Sequence, residues 1–201
     1  MQPGPFLRLL GWQSHAHHDM KPQILFIVGF LSVIWAVETL NGFMGHRLST
    51  WGILPRTEIG LRGIPLSPFL HGSFNHVLSN TVPFLILGGL VALRGSQKLI
   101  GVSLFIIVVG GAGVWLIGRP AIHVGASGLV FGYFGYLVAA GWYDRKLGSI
   151  LVAFAVIVLY GGLMVGVLPT VGFVSWEAHL LGLVAGVLAA RLVGGGRINA
   201  A

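Results

Sequence analysis

Residues 123–136 read HVGASGLVFGYFGY, a lone serine set between glycines at the head of an apolar, helix-like run. Two readings fit this stretch: a small-residue contact between membrane helices, or a nucleophile mounted on one. The rest of the chain has to decide. Of its 201 residues 55% are hydrophobic and only 8% are charged, and its mean hydropathy is strongly positive. No ordinary soluble domain has that balance. Several apolar runs approach 20 residues, the length needed to cross a bilayer as a helix. They are continuous rather than alternating, which excludes a transmembrane barrel, the other way to satisfy backbone polar groups in lipid.

Six segments are predicted to span: about 23–42, 76–94, 98–117, 125–142, 149–168 and 176–193. The chain is therefore expected to be an all-α polytopic membrane protein, a bundle of six transmembrane helices. Residues 1–22 form an N-terminal segment, 23–193 the membrane domain and 194–201 a C-terminal tail. The first residues lack an apolar core followed by a small-residue cleavage site, so no removable signal peptide is expected. The connection between the first two spans is too long for a tight turn and too apolar for a solvated linker. It is expected to lie in the membrane interface or partly within the bilayer.

Basic residues outnumber acidic ones 12 to 5, which is first a topology signal and not evidence for nucleic acid. Arg8, Lys21, Arg94, Lys98, Arg145, Lys146, Arg191 and Arg197 fall on one side of the six-span arrangement; Arg47, Arg56, Arg62 and Arg119 fall on the other. That bias predicts a multi-pass protein of the cell membrane with both termini cytoplasmic. The first loop and the start of the fourth span then face outward.

Polar groups inside a span are costly, so each raises a functional hypothesis. His76 and Asn80 lie four residues apart on one face of the second span. Ser127 opens the fourth, and His179 lies near the outer end of the sixth. All four converge at one depth. A serine hydroxyl needs a base to take its proton, and a neutral imidazole is the usual one near pH 7. Ser127's own N–H at a helix start, with the side chains of His76 and Asn80, can serve a developing oxyanion. Gly182 and Gly186 share a face with His179, and the fourth span carries Gly128, Gly132 and Gly135. Facing small residues let two helices approach closely enough for a serine–histidine hydrogen bond. Phe131, one turn after Ser127, is placed to pack on the imidazole. No carboxylate is evident to orient His179, because Glu177 points to another side of the helix.

Other chemistries fail on their residues. Asp19 and Asp144 lie outside the spans, so an intramembrane aspartyl pair is not available. There is no H-E-x-x-H, and Leu129 breaks G-x-S-x-G. The chain has no cysteine. A transporter would need paired intramembrane charges or an inverted repeat, and neither is found.

At these residues the chain resembles the rhomboid family of intramembrane serine proteases. The resemblance runs from about Arg62 to about Arg191 and rests on FLHGSFNHVLSN, GASGLVFG and EAHLLGLVAG, in that order on the expected spans. It implies a Ser–His dyad with Ser127 as nucleophile and His179 as general base. His76 and Asn80 are implied at the oxyanion hole and His71 in a structural role, with Gly125, Gly128, Phe131 and Gly182 supporting. The implied activity is hydrolysis of peptide bonds in or near transmembrane segments of membrane proteins, with no cofactor and no metal. The alternative is a non-catalytic rhomboid-like protein that binds or escorts transmembrane clients; the serine and histidine both being present favours the protease. The lipid bilayer and transmembrane substrates are the expected partners, nucleic acid is not, and the oligomeric state stays open. The first-loop Trp–Arg pair of many members is not evident, since Trp51 and Arg62 are separated.

Four further features have plainer readings. Glu38 is expected to anchor the first loop rather than relay protons. His15, His17 and His18 form a histidine tract with a weak claim to metal. His123 is expected at the interfacial edge of its loop. Trp51, Trp115, Trp142 and Trp176 read as an aromatic belt.

Overall fold

The fold comes from a computed structural model that describes residues 20–169 and 174–195; the histidine tract at His15, His17 and His18 lies outside them. The described chain is helical, and its one β-type contact is an isolated bridge between Ile53 and His123. Six long helices follow in order. They are α1 (Lys21–Phe43), α2 (Phe74–Ala92), α3 (Ser96–Ile117), α4 (Ser127–Asp144), α5 (Leu147–Tyr160) and α6 (Trp176–Gly195). Their ends agree with the expected segments to within a few residues, except that α5 stops at Tyr160 and only its 3-10 extension to Val167 approaches the expected end near 168. Pro22 pre-sets the first turn of α1, and Ser73 caps α2 by accepting the His76 N–H at 3.2 Å. Helix α3 contains a π turn at Ile106–Gly110, and α5 tightens into a 3-10 turn at Gly161–Val167.

Five of these are long and apolar enough to cross a membrane: α1, α2, α3, α5 with its 3-10 extension, and α6. Helix α4 is not among them. Its glycines, tyrosines and Asp144 lower its hydropathy, yet it is the most enclosed helix, with Leu129–Leu137 buried without a break. It packs chiefly on α6, then α5 and α2. A helix sheathed by its neighbours meets side chains in place of lipid and has no need of a uniformly apolar surface.

Glycine sets the α4–α6 spacing. A Cβ on Gly182 would overlap the carbonyl oxygen of Gly128, and one on Gly186 would overlap that of Gly132. Gly135 leaves the same kind of room for the Leu183 carbonyl. At the end of α4 away from Ser127, Arg94 donates to Asp144 Oδ2 at 2.7 Å and to Ser149 Oγ at 3.1 Å. That cluster ties α2, α4 and α5 together.

Residues 44–73 form a folded plug rather than an open loop. Gly45 and His46 turn the chain through left-handed conformations, and short helical turns follow from Arg47 to Phe69. The plug is stitched to the α3–α4 connection. Ile53 and His123 exchange backbone hydrogen bonds, Arg56 donates to the Gly118 carbonyl at 2.8 Å, and Trp115 Nε1 donates to the Thr57 carbonyl at 2.8 Å. The Arg62 guanidinium sits 5.1 Å from the Trp51 ring centroid. Fold thus supplies a Trp–Arg contact that the linear sequence does not display.

Candidate active site

Glu38 begins the support of the site. It is fully buried near the end of α1, where Asn41 Nδ2 donates to its Oε2 at 3.2 Å. The same Asn41 amide reaches Ser49 Oγ and the His71 carbonyl, each at 2.9 Å, and its Oδ1 accepts the Leu48 N–H. Ser49 Oγ also donates to the His71 carbonyl, at 2.8 Å. Glu38 therefore supports the first loop through Asn41, which makes the loop's hydrogen bonds itself.

His71 carries the support onward. It is fully buried, and its Nε2 accepts the Ala126 N–H at 3.3 Å. A backbone N–H can only donate, so Nε2 is bare and His71 is neutral with its proton on Nδ1. Burial, followed by the neighbouring His76, pushes His71 down to about 3, which fits an acceptor role. Gly125 N donates to the Ser67 carbonyl at 2.9 Å. The two residues preceding Ser127 are thus both held by the plug.

Ser127 is the first residue of α4, so its N–H has no acceptor within the helix. Its Oγ lies 2.8 Å from His179 Nε2. His179 Nδ1 lies 2.9 Å from the Gly166 carbonyl oxygen. A carbonyl accepts only, so Nδ1 carries the imidazole proton and a bare Nε2 faces the serine. The Phe131 ring stacks on the imidazole with centroids 4.1 Å apart and planes 7° apart. Glu177 takes no part in orienting it: its Oε1 accepts the Arg119 N–H at 3.3 Å and pairs with Arg119 Nε at 3.4 Å.

Gly125 separates Ser127 from His76. A Cβ there would stand 2.7 Å from His76 Nε2 and 3.6 Å from Ser127 Oγ, and its φ of +118° suits glycine alone. His76 is half-buried, with its ring edge-on to His71 at 4.9 Å. Asn80 is buried, and its Nδ2 donates to the His76 carbonyl at 3.0 Å. That bond uses one of two amide hydrogens. Gly128 leaves room for the Ala178 carbonyl, which lets α6 bring His179 against α4.

One expectation changes, and one neighbour is unanticipated. His123 is not at a loop edge but buried: Nε2 lies 3.1 Å from the Arg119 carbonyl and Nδ1 lies 2.5 Å from Ser175 Oγ. Its backbone bridge to Ile53 draws the side chain under the plug, and burial lowers its basicity. Gly166 is the neighbour that residue-type reasoning misses, because its contribution is a main-chain oxygen.

A family model described as the Rhomboid domain matches residues 60–195. Uncharacterized protein Rv1337 of Mycobacterium tuberculosis is 39% identical over 176 residues, covering 83% of this chain and 73% of that one. Uncharacterized protein ML1171 of Mycobacterium leprae is 37% identical over 177 residues, covering 83% and 70%. YdcA of Bacillus subtilis, provisionally named a rhomboid protease, is 24% identical over 204 residues, covering 91% and 93%. With the fold and the paired Ser127 and His179 in view, the chain belongs to the rhomboid family. It is a helical protein whose apolar spans mark it as membrane-embedded.

Proposed function

We propose that this protein is an intramembrane serine endopeptidase working through a Ser127–His179 dyad. One observation carries the reading: the 2.8 Å contact between Ser127 Oγ and an imidazole nitrogen whose opposite nitrogen is committed to a carbonyl. Ser127 Oγ attacks the scissile carbonyl carbon as its proton passes to His179 Nε2. Charge then develops on the substrate oxygen. The N–H of Ser127, the His76 Nε2–H and the second Asn80 amide hydrogen are the donors available to it. Collapse breaks the C–N bond, and His179 returns the proton to the leaving amine. Water attacks the resulting Ser127 ester by the same proton path and frees the enzyme.

In this reading all six helices cross the bilayer, α4 within a sheath of the others, and both termini face the cytoplasm in keeping with the basic-residue bias. The plug then lies at the outer interface. The proposed substrates are transmembrane proteins cut near the outer ends of their spans.

Purified protein in detergent is incubated with a panel of transmembrane peptides, with and without a serine-directed fluorophosphonate. Cleavage by the wild type, blocked by the probe and abolished in Ser127→Ala and in His179→Ala, is the expected result. The double variant should be no worse than either single one. Cleavage retained by Ser127→Ala overturns the proposal.

A further inference from the structure

We propose that Gly166 is a positioning residue for His179, acting through its carbonyl oxygen, and that its lack of a side chain is what admits it to the site. This rests on the protease reading. A dyad with no orienting carboxylate leaves its imidazole two tautomers, and only the one with a bare Nε2 can take the Ser127 proton. The Gly166 carbonyl, 2.9 Å from Nδ1, selects that tautomer. It also faces the imidazole where positive charge develops as Nε2 becomes protonated.

The acceptor is available because of where it lies. Gly166 falls in the last turn of the 3-10 extension of α5, among helix-terminal carbonyls that lack intrahelical partners. Its neighbour Val165 already gives its carbonyl to the Leu168 N–H. A Cβ on Gly166 would stand 2.9 Å from Phe131 Cζ and 3.1 Å from His179 Nδ1. It would press on both the base and the ring stacked against it. Gly161 and Gly162, at the start of the same 3-10 segment, face open space. The glycine-rich run therefore contains one position under steric demand from the base and two that are not.

The test uses the full chain labelled with isotopic histidine in detergent, with His179 assigned by its loss in His179→Gln. Nitrogen NMR at about pH 7.5 should place the imidazole proton on Nδ1 in the wild type. Gly166→Ala should lower kcat about a hundredfold with little change in KM, and should lose that single tautomer. Gly162→Ala should leave kcat, KM and tautomer unchanged. A wild-type His179 protonated on Nε2, or a Gly166→Ala enzyme with wild-type kcat, overturns the proposal. If Gly166→Ala fails to fold, the wild-type tautomer alone decides. Should the wild type neither cleave nor react with fluorophosphonate, the protease reading fails, while the tautomer still reports on the Gly166 contact.

Discussion

Asn80 gives one amide hydrogen to its own helix and has one to spare, which sets what its loss should do. Asn80→Ala should lower kcat about a hundredfold, roughly 3 kcal/mol, while KM changes little, because the spare hydrogen matters only once an oxyanion forms. Turnover and half-saturation measured separately decide this. A variant with weak capture and normal turnover would place Asn80 in docking instead. Gly125→Ala should also be nearly inactive, since its φ of +118° and the 2.7 Å approach to His76 Nε2 both oppose a side chain. Fluorophosphonate labelling rates check it. At this scale the sequence was readable where chemistry sits in side chains. Ser127, His179 and Phe131 were selected by type and helical spacing, and they do lie together. Gly166 and the burial of His123 were hidden, one because it acts through backbone and the other because a loop from far away covers it.

Between elements, the α4–α6 contact and the plug behave differently under perturbation. Gly182→Ala drives a methyl into the Gly128 carbonyl and should cost about 1–3 kcal/mol of stability, read as a lower melting temperature in detergent. It should also slow catalysis, because the same contact brings His179 to Ser127. The plug should be acid-sensitive. His71 is held down to about 3 in the fold and returns to the ordinary imidazole range, near 6.5, when released. Between those values the released state binds a proton that the folded state does not, so stability falls as pH drops below about 6.5. His123, also depressed by burial, works in the same direction. Protection factors over residues 44–73, with hydrogen exchange corrected for the intrinsic pH dependence of amide chemistry, should therefore fall from pH 7 to pH 5. Unchanged protection factors would show that neither histidine destabilises the plug by taking up a proton. The length and apolarity of the first loop were legible; its folded form was not, because it is built from backbone pairings with residues 115–126.

Taken whole, the molecule keeps Ser127 inside a ring of helices, so on the proposed protease reading a substrate would have to expose a carbonyl before being cut. An intact helix hides its carbonyls in its own hydrogen bonds. Cleaved spans should carry glycine or proline near the scissile bond, and replacing those glycines by leucine should slow turnover. Equal rates for the stiffened peptide would shift specificity to side-chain fit. The sequence marks all six segments as spans, but only five of the helices are long and apolar enough to cross a membrane, and α4, enclosed by its neighbours, falls short of them. The enclosure of α4 has a consequence for biogenesis. A segment shaped for protein neighbours partitions weakly into a bilayer by itself, so α4 should integrate inefficiently when its flanking spans are removed from a nascent chain. Its retention at the insertion machinery would then last until α6 emerges and supplies the surface that its glycines were shaped to meet.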